Sequence, residues 1–391
     1  MKRALALCLL GGCFGYSKLP SDRPDPKLRT IKDAKILDMQ INLNKQPGLC
    51  PGKEGKLYVN GTVQWPNMKP VLRSIGADVD SFAPAAFTIK GPLVTGDAEA
   101  HLHPDPDVLK SIEDGFVLDV TYKPEPKFSF HQMFPPEYSC FTGSSVAGAE
   151  GSMGQGGDGG VSGGAGESGS PAGNGGPGAR GGNGGRLQVF VTVVSTKFYP
   201  KLYAVIANET FYLAPAGRPI LFAAPGGPGG QGGGGGEGGH GGDQETDSVE
   251  RPDGKGGTNT VLVGKGPAGH GAAGGSGGDG GDGGNGGVVE VTYDSAFPEL
   301  RQFIEVNVDG GAPGAGGPAG PGGQGGGTNA EENAQNGQNG PDGQEGRPGR
   351  SGREGRASVR PGSVANMFRS IRGIQLLGGG GVPATTPRRR R

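Results

Sequence analysis

The sequence predicts a mainly β protein. A β-sandwich-like domain is expected over residues 31–150. An antiparallel bundle of polyglycine-II helices with a β cap is expected over 151–357. Three observations carry this. Short segments of alternating apolar and polar residues fill the N-terminal part. Glycine supplies 86 of 391 residues, and 67 of those 86 fall within 151–355. There the glycines recur at every third position, in blocks. The residues AVILMFWYC make up 32% of the chain, too little for a conventional core around all of it. A formal net charge of −1 excludes a bulk polyanion binder but leaves room for a local basic patch. No apolar run is long enough to predict a membrane-spanning helix.

The N-terminus carries Lys2 and Arg3, a short apolar stretch over 4–10, then Leu10-Gly11-Gly12-Cys13. This order resembles a bacterial lipoprotein signal with its lipobox. The resemblance implies that residues 1–12 are removed and that Cys13 carries the lipid, palmitate among its chains. Residues 13–30 then form a lipidated tether, extended where three prolines fall within 18–27. Phe14 stands where Asp would resemble an inner-membrane retention signal, so the resemblance favours the outer membrane or cell surface. Several acyl chains anchor stably where one is marginal. The alternative is an ordinary secretory signal with a chance cysteine.

Of four cysteines, Cys8 lies in the signal and Cys13 takes lipid. Cys50 and Cys140 remain as an even pair in an oxidising compartment, which predicts a disulfide within the 31–150 domain. Two buried free thiols are the alternative. Strands are expected at 34–43, 56–65, 86–90, 93–101, 116–122 and 127–133, with a helical turn over 108–113. His101 and His103 share a strand face near Asp105 and Asp107. With no third fixed ligand visible, neither a metal nor another cofactor is expected.

A flexible linker needs no phase, yet these glycines keep one in six blocks. The blocks are 151–169, 173–185, 225–243, 274–287, 311–326 and 337–355. Three residues per turn is the polyproline-II period, in which each residue class lines one face. The last block is similar to collagen, with one Gly per triplet. The third and fourth blocks carry two, which collagen does not use. The pattern resembles the glycine-rich bundles of springtail antifreeze proteins and some phage tail-fibre adhesins. That resemblance implies a fold and no ligand. In such a bundle the two-Gly blocks sit centrally and the one-Gly blocks at edges.

A tight turn is expected at 170–172. Strands at 187–194, 218–223, 288–293 and 303–308 fall at one end. They predict a β cap with Phe190, Phe198, Tyr199, Tyr203, Phe211, Tyr212, Phe222, Tyr293, Phe297 and Phe303 as its core. At the other end 244–264 and 328–336 form a polar tip, either a ligand surface or a solvated turn.

From Arg347 onward the chain holds 11 Arg and one acid, Glu354. Residues 358–391 are expected to be a basic tail. Arg347, Arg350, Arg353 and Arg356 share one polyproline face, and Arg388, Arg389, Arg390 and Arg391 end the chain. These are candidate anion-binding residues for lipid phosphates or acidic polysaccharide. The ladder could equally pair with acids on neighbouring helices. No aromatics interleave the arginines, so nucleic acid is not an expected partner. The G-x-S-x-G matches at 160–164 and 274–278 lack the strand–turn–helix context of a nucleophile elbow. Asp279 and Asp282 would lie about 9 Å apart along a three-fold helix, too far for one calcium ion. No catalytic set is assignable, so no enzyme is expected. The expected function is a lipid-anchored cell-surface structural or adhesive protein with a rigid glycine-helix stalk, its partner the membrane. The alternative is a module binding an envelope protein or anionic polysaccharide through the arginines.

Overall fold

In the computed structural model the structure describes residues 31–44, 46–76 and 81–378. The signal, Cys13 and its tether, and Arg388 to Arg391 lie outside them. The chain is mainly β. It divides into two compact units, residues 1–137 and 138–391. The boundary falls before residue 150 because 143–145 already pairs with a later strand.

The first unit holds two antiparallel sheets. One orders Lys35–Asn42, Tyr58–Gln64 and Val71–Ser74. The other orders Gly55–Lys56, His101–Pro104, Val94–Gly96, Phe87–Lys90, Phe116–Tyr122 and Ser129–Phe134. Alternation sets which face is buried. In Phe116–Tyr122 the residues Phe116, Leu118 and Val120 are fully buried, and they join Val59, Val63, Phe82 and Leu102 in one core. Phe82 lies at the centre, edge-on to Tyr122 at 5.7 Å between ring centroids. It reaches there over Gly61, where a Cβ would come within 2.6 Å of the ring. The expected strand 93–101 is split in two at the 97–100 turn, where Ala100 has a φ of 63°. The helical turn is Val108–Ser111, capped by Asp107, whose Oδ1 accepts from the Leu109 N–H at 3.0 Å. Cys50 and Cys140 are disulfide-bonded.

In the second unit six glycine-rich runs cover 146–166, 169–185, 224–244, 268–287, 308–327 and 335–355, with neither helix nor strand in their repeats. They are tied by backbone hydrogen bonds of 2.7 to 3.1 Å. The donors recur every third residue. Gly148, Gly151, Gly154 and Gly157 of run 1 donate to the carbonyls of Pro225, Pro228, Gln231 and Gly234 of run 3. The same parallel register joins run 3 to run 5, run 2 to run 4, and run 4 to run 6. Between the two sets the register is antiparallel: Gly227, Gly230 and Gly233 donate to Gly182, Ala179 and Gly176. Runs 1, 3 and 5 therefore make one layer and runs 2, 4 and 6 the other. Run 3 bonds to runs 1, 2, 4 and 5, and run 4 to runs 2, 3, 5 and 6. Both carry two Gly in most triplets, as do run 2, which bonds to runs 1, 3 and 4, and much of run 5. Run 1 bonds only to runs 2 and 3, and run 6 only to runs 4 and 5.

Each layer continues directly into a parallel sheet. Gly143–Ser145, Ile220–Ala223 and Ile304–Asn307 lead into runs 1, 3 and 5 and pair with one another. Arg186–Ser195, Val288–Asp294 and Arg356–Gly362 leave runs 2, 4 and 6 and pair likewise. The hairpin Leu202–Ala207 and Thr210–Pro215 extends this second sheet. Where glycine gives way to side chains, the layers hold a core between them. Leu187, Val189, Val191, Val205, Ile220, Phe222, Val289 and Val291 fill it, each at most 1% exposed.

The expected aromatic core is only partly right. Tyr203, Phe222 and Tyr293 are in it, and Tyr212, Phe297 and Phe303 pack at its margin. Phe190, Phe198, Tyr199 and Phe211 are not; Tyr199 meets Tyr138 and Phe211 meets Phe368 instead. The turn between runs 1 and 2 lies at Ala165–Gly166, where Gly166 has a φ of 70°, and not at 170–172. Through residue 376 the expected tail is part of the fold. Arg356–Gly362 is a sheet edge, Ala365–Phe368 a helical turn with Phe368 fully buried, and Gln375–Leu376 pairs with Val194 and Ser195.

The polar tip is more ordered than a loop. Thr246–Pro252 and Thr258–Gly264 form an antiparallel hairpin. Gln244 ties it down. Its amide donates to the carbonyls of Gly266 and Asn333, and its oxygen accepts from the Thr328 hydroxyl and the Gln335 N–H.

Candidate functional site

The outward position of each triplet in runs 2, 4 and 6 sits beside that of the next run, which arranges these residues in rows. Short acceptors in run 4 bind the backbone of run 6. Asp279 Oδ1 accepts from the Arg347 N–H at 2.8 Å, Asp282 Oδ1 from Arg350 at 2.7 Å, and Asn285 Oδ1 from Arg353 at 2.9 Å. Asn174 and Asn183 of run 2 do the same for Ser276 and Asn285. The carbonyls of Arg347, Arg350 and Arg353 in turn accept from Gly280, Gly283 and Gly286. Each arginine backbone is thus held at both N and O.

The rows run on into the sheet with the same offsets, so Arg186, Val288 and Arg356 are register partners. Thr292 and Arg360 pair two residues beyond Glu290's row, in which Glu290 pairs with Ser358. Arg347, Arg350, Arg353, Arg356 and Arg360 are all exposed. None of the first four makes a side-chain hydrogen bond or ion pair among the described residues. At the polyproline rise of ~3.1 Å per residue, Arg347 to Arg353 would span about 19 Å.

At the sheet end of this column lies a shallow pocket of about 420 Å³ lined by Arg186, Val288, Val289, Glu290, Arg356, Ala357 and Ser358. Arg186 Nη2 binds Glu290 Oε2 at 2.8 Å. That hydrogen bond and the guanidinium charge hold the Glu290 carboxyl below its usual range, with Arg360 adding to the effect. The lowered folded value means its contribution to stability is present above the ordinary glutamate pKa and is lost as pH falls through the folded value. Carbon-detected titration of Glu290 should therefore give a midpoint below 4.5, and Arg186→Gln should move it back up. An unmoved midpoint would contradict the pairing.

Sequence reading found the four arginines of the column. It missed Arg186, Glu290, Ser358 and Arg360, whose place depends on pairing between strands many tens of residues apart. It also read Asp279 and Asp282 only as failed calcium ligands. The signal for their actual role was the short acceptors His, Ser, Asp and Asn recurring at one position of run 4.

The other histidine cluster is arranged differently from expectation. His101 Nδ1 and His103 Nε2 face one oxygen of Asp97 at 3.2 and 3.3 Å, not Asp105 or Asp107. Asp105 pairs with Lys110 and Asp107 caps a helix. Among the described residues no group of three or more His, Cys, Asp or Glu is placed to hold a metal ion. Nor is any helix among them long and apolar enough to cross a membrane. No protein-family model, no curated protein and no solved structure matches the chain.

Proposed function

We propose that the chain is a lipid-anchored structural or adhesive protein of the outer membrane or cell surface, with a rigid stalk. In this reading Cys13 carries the lipid, the first unit is a β-sandwich, and the six runs are polyglycine-II helices. The observation that carries it is the unbroken hydrogen-bond register of the six runs. A chain of backbone bonds repeated every third residue resists bending, because flexing one run breaks bonds to several neighbours. A Cys50–Cys140 disulfide accords with an extracytoplasmic location. The proposal includes no catalytic role.

The anchor is tested by fractionation. Wild type should sediment with membranes, and Cys13→Ala should move to the soluble fraction. A Cys13→Ala protein that stays with membranes would overturn the lipid anchor.

A second reading, an envelope or anionic-polysaccharide binding module, is favoured by one observation: the exposed arginine column without side-chain partners. Deleting 358–391 would not test it cleanly, since 356–362 is a strand of the sheet. Removing only 379–391 separates the terminal arginines from the column.

A further inference from the structure

We propose that the pocket between Arg186 and Arg356, with the arginine column leading from it, is a groove for a linear acidic polysaccharide. The inference rests on the second reading above and names its ligand class and subsites. One acidic sugar would sit in the pocket. Acids further along the polymer would meet Arg353, Arg350 and Arg347.

The pocket's chemistry suits a sugar acid. Its volume is about 420 Å³, within the usual range for small-molecule sites. Val288 offers an apolar floor between Arg186 and Arg356 in one row. Such a floor fits the C–H face of a pyranose ring. The Ser358 hydroxyl and the Glu290 carboxylate line the same pocket and can bond ring hydroxyls. Arg186 is committed to Glu290. Arg356 has no side-chain partner, so its planar fork is free to take a carboxylate bidentately.

The column's geometry suits a polymer. Arg347, Arg350 and Arg353 lie along one line at steps of ~9 Å, the rise of one triplet. A single headgroup reaches one or two of them, whereas an extended chain with regularly placed acids reaches all. The backbone under each arginine is fixed by hydrogen bonds at N and O. The charges are therefore spaced before the ligand arrives, which lowers the ordering cost of binding.

The surrounding acids do not cancel the column. The rows from Arg180 to Arg360 carry seven arginines (180, 186, 347, 350, 353, 356 and 360) against three carboxylates (Asp279, Asp282 and Glu290), and run 6 adds the exposed Glu345 and Glu354 beside them, which still leaves an excess of positive charge. Asp279 and Asp282 each spend one oxygen on an arginine N–H, and Glu290 is held by Arg186.

The experiment is a binding isotherm of the full-length protein with a galacturonate oligomer, at two salt concentrations. Four forms are compared: wild type, Ser358→Phe, the triple variant Arg347→Gln, Arg350→Gln and Arg353→Gln, and a protein lacking 379–391. Ser358→Phe fills the pocket without changing charge. The triple variant alters only exposed side chains, and an unchanged melting temperature verifies its fold. Each should weaken binding about tenfold or more, the triple variant through loss of charge-assisted hydrogen bonds and Ser358→Phe by occupying the pocket. The triple variant should also flatten the salt dependence. Galacturonate monomer and neutral dextran should bind far more weakly than the oligomer. Loss of binding only on removing 379–391 would overturn the groove while leaving the second reading standing. No binding by any form would overturn both. Binding of anionic vesicles or single-stranded DNA in preference to the oligomer, with the same variant dependence, would replace the polysaccharide as occupant.

Discussion

Gly233→Ala is expected to destabilise the second unit strongly, while Gly234→Ala is expected to be tolerated. A Cβ at Gly233 would overlap the carbonyl oxygen of Gln155 in run 1. That neighbour is backbone, held in turn by run 2 through the Gly176 N–H, so it cannot swing away. Overpacking of this kind costs about 3 kcal/mol or more, because rigid atoms must shift. A melting temperature lower by on the order of 10 °C follows for a unit of this size. At Gly234 the nearest atom to a new Cβ is Pro318 Cγ at 3.4 Å. That is ordinary contact, and alanine there restricts the unfolded chain. A change between zero and about +1 kcal/mol is expected. Thermal melts of the two variants test the pair. Equal, small effects would mean that run 3 is not packed against run 1.

The second large effect is expected on breaking the disulfide. The Cys50–Cys140 bond closes a loop that contains most of the first unit. In the chain-entropy model a loop of roughly 90 residues contributes about 4–5 kcal/mol. Cys50→Ser with Cys140→Ser, or reduction of the wild type, should lower the unfolding free energy in urea by a large part of that amount. A loss below about 1 kcal/mol would contradict this, because the unfolded chain would then gain little freedom.

Much of the fold was legible wherever one residue class faces one way. Phe116–Tyr122 alternates because one of its faces is buried, and the sequence bounds match the strand. The glycine phase marked out the runs, and the two longest two-Gly runs, 3 and 4, are those bonded to four neighbours, but run 2 shows the same pattern with three. Other parts were not legible for physical reasons. Leu202–Ala207 is buried on both faces apart from Ile206, so alternation disappears. Arg356–Gly362 looks like a charged tail because it is a sheet edge, with only Val359 of its central residues turned partly inward. The apolar residues at 364, 367, 368, 371 and 374 have helical spacing, but the helix stops after Phe368, and Gly373 takes a φ of 79°. The candidate site divides the same way. Its arginine column is local and periodic, hence visible. Its pocket joins three strands distant in sequence, hence hidden.

Amide hydrogen exchange resolved to single residues tests the six-run array most directly. In run 3 the amides of Gly226, Gly227, Gly229, Gly230, Gly232 and Gly233 all donate to neighbouring runs. The remaining position of each triplet, Gln231, Gly234 and Glu237, faces outward. The expected pattern is two protected amides in every three through run 3. In run 1 the repeating donors to run 3 are Gly148, Gly151, Gly154, Gly157, Gly160, Gly163 and Gly166, one in three, with Val161 and Gly164 adding bonds to the Ser170 and Glu167 side chains near the turn. A collagen-like trimer would protect one amide in three in both runs, and a flexible linker would protect none. Either of those patterns would contradict the array.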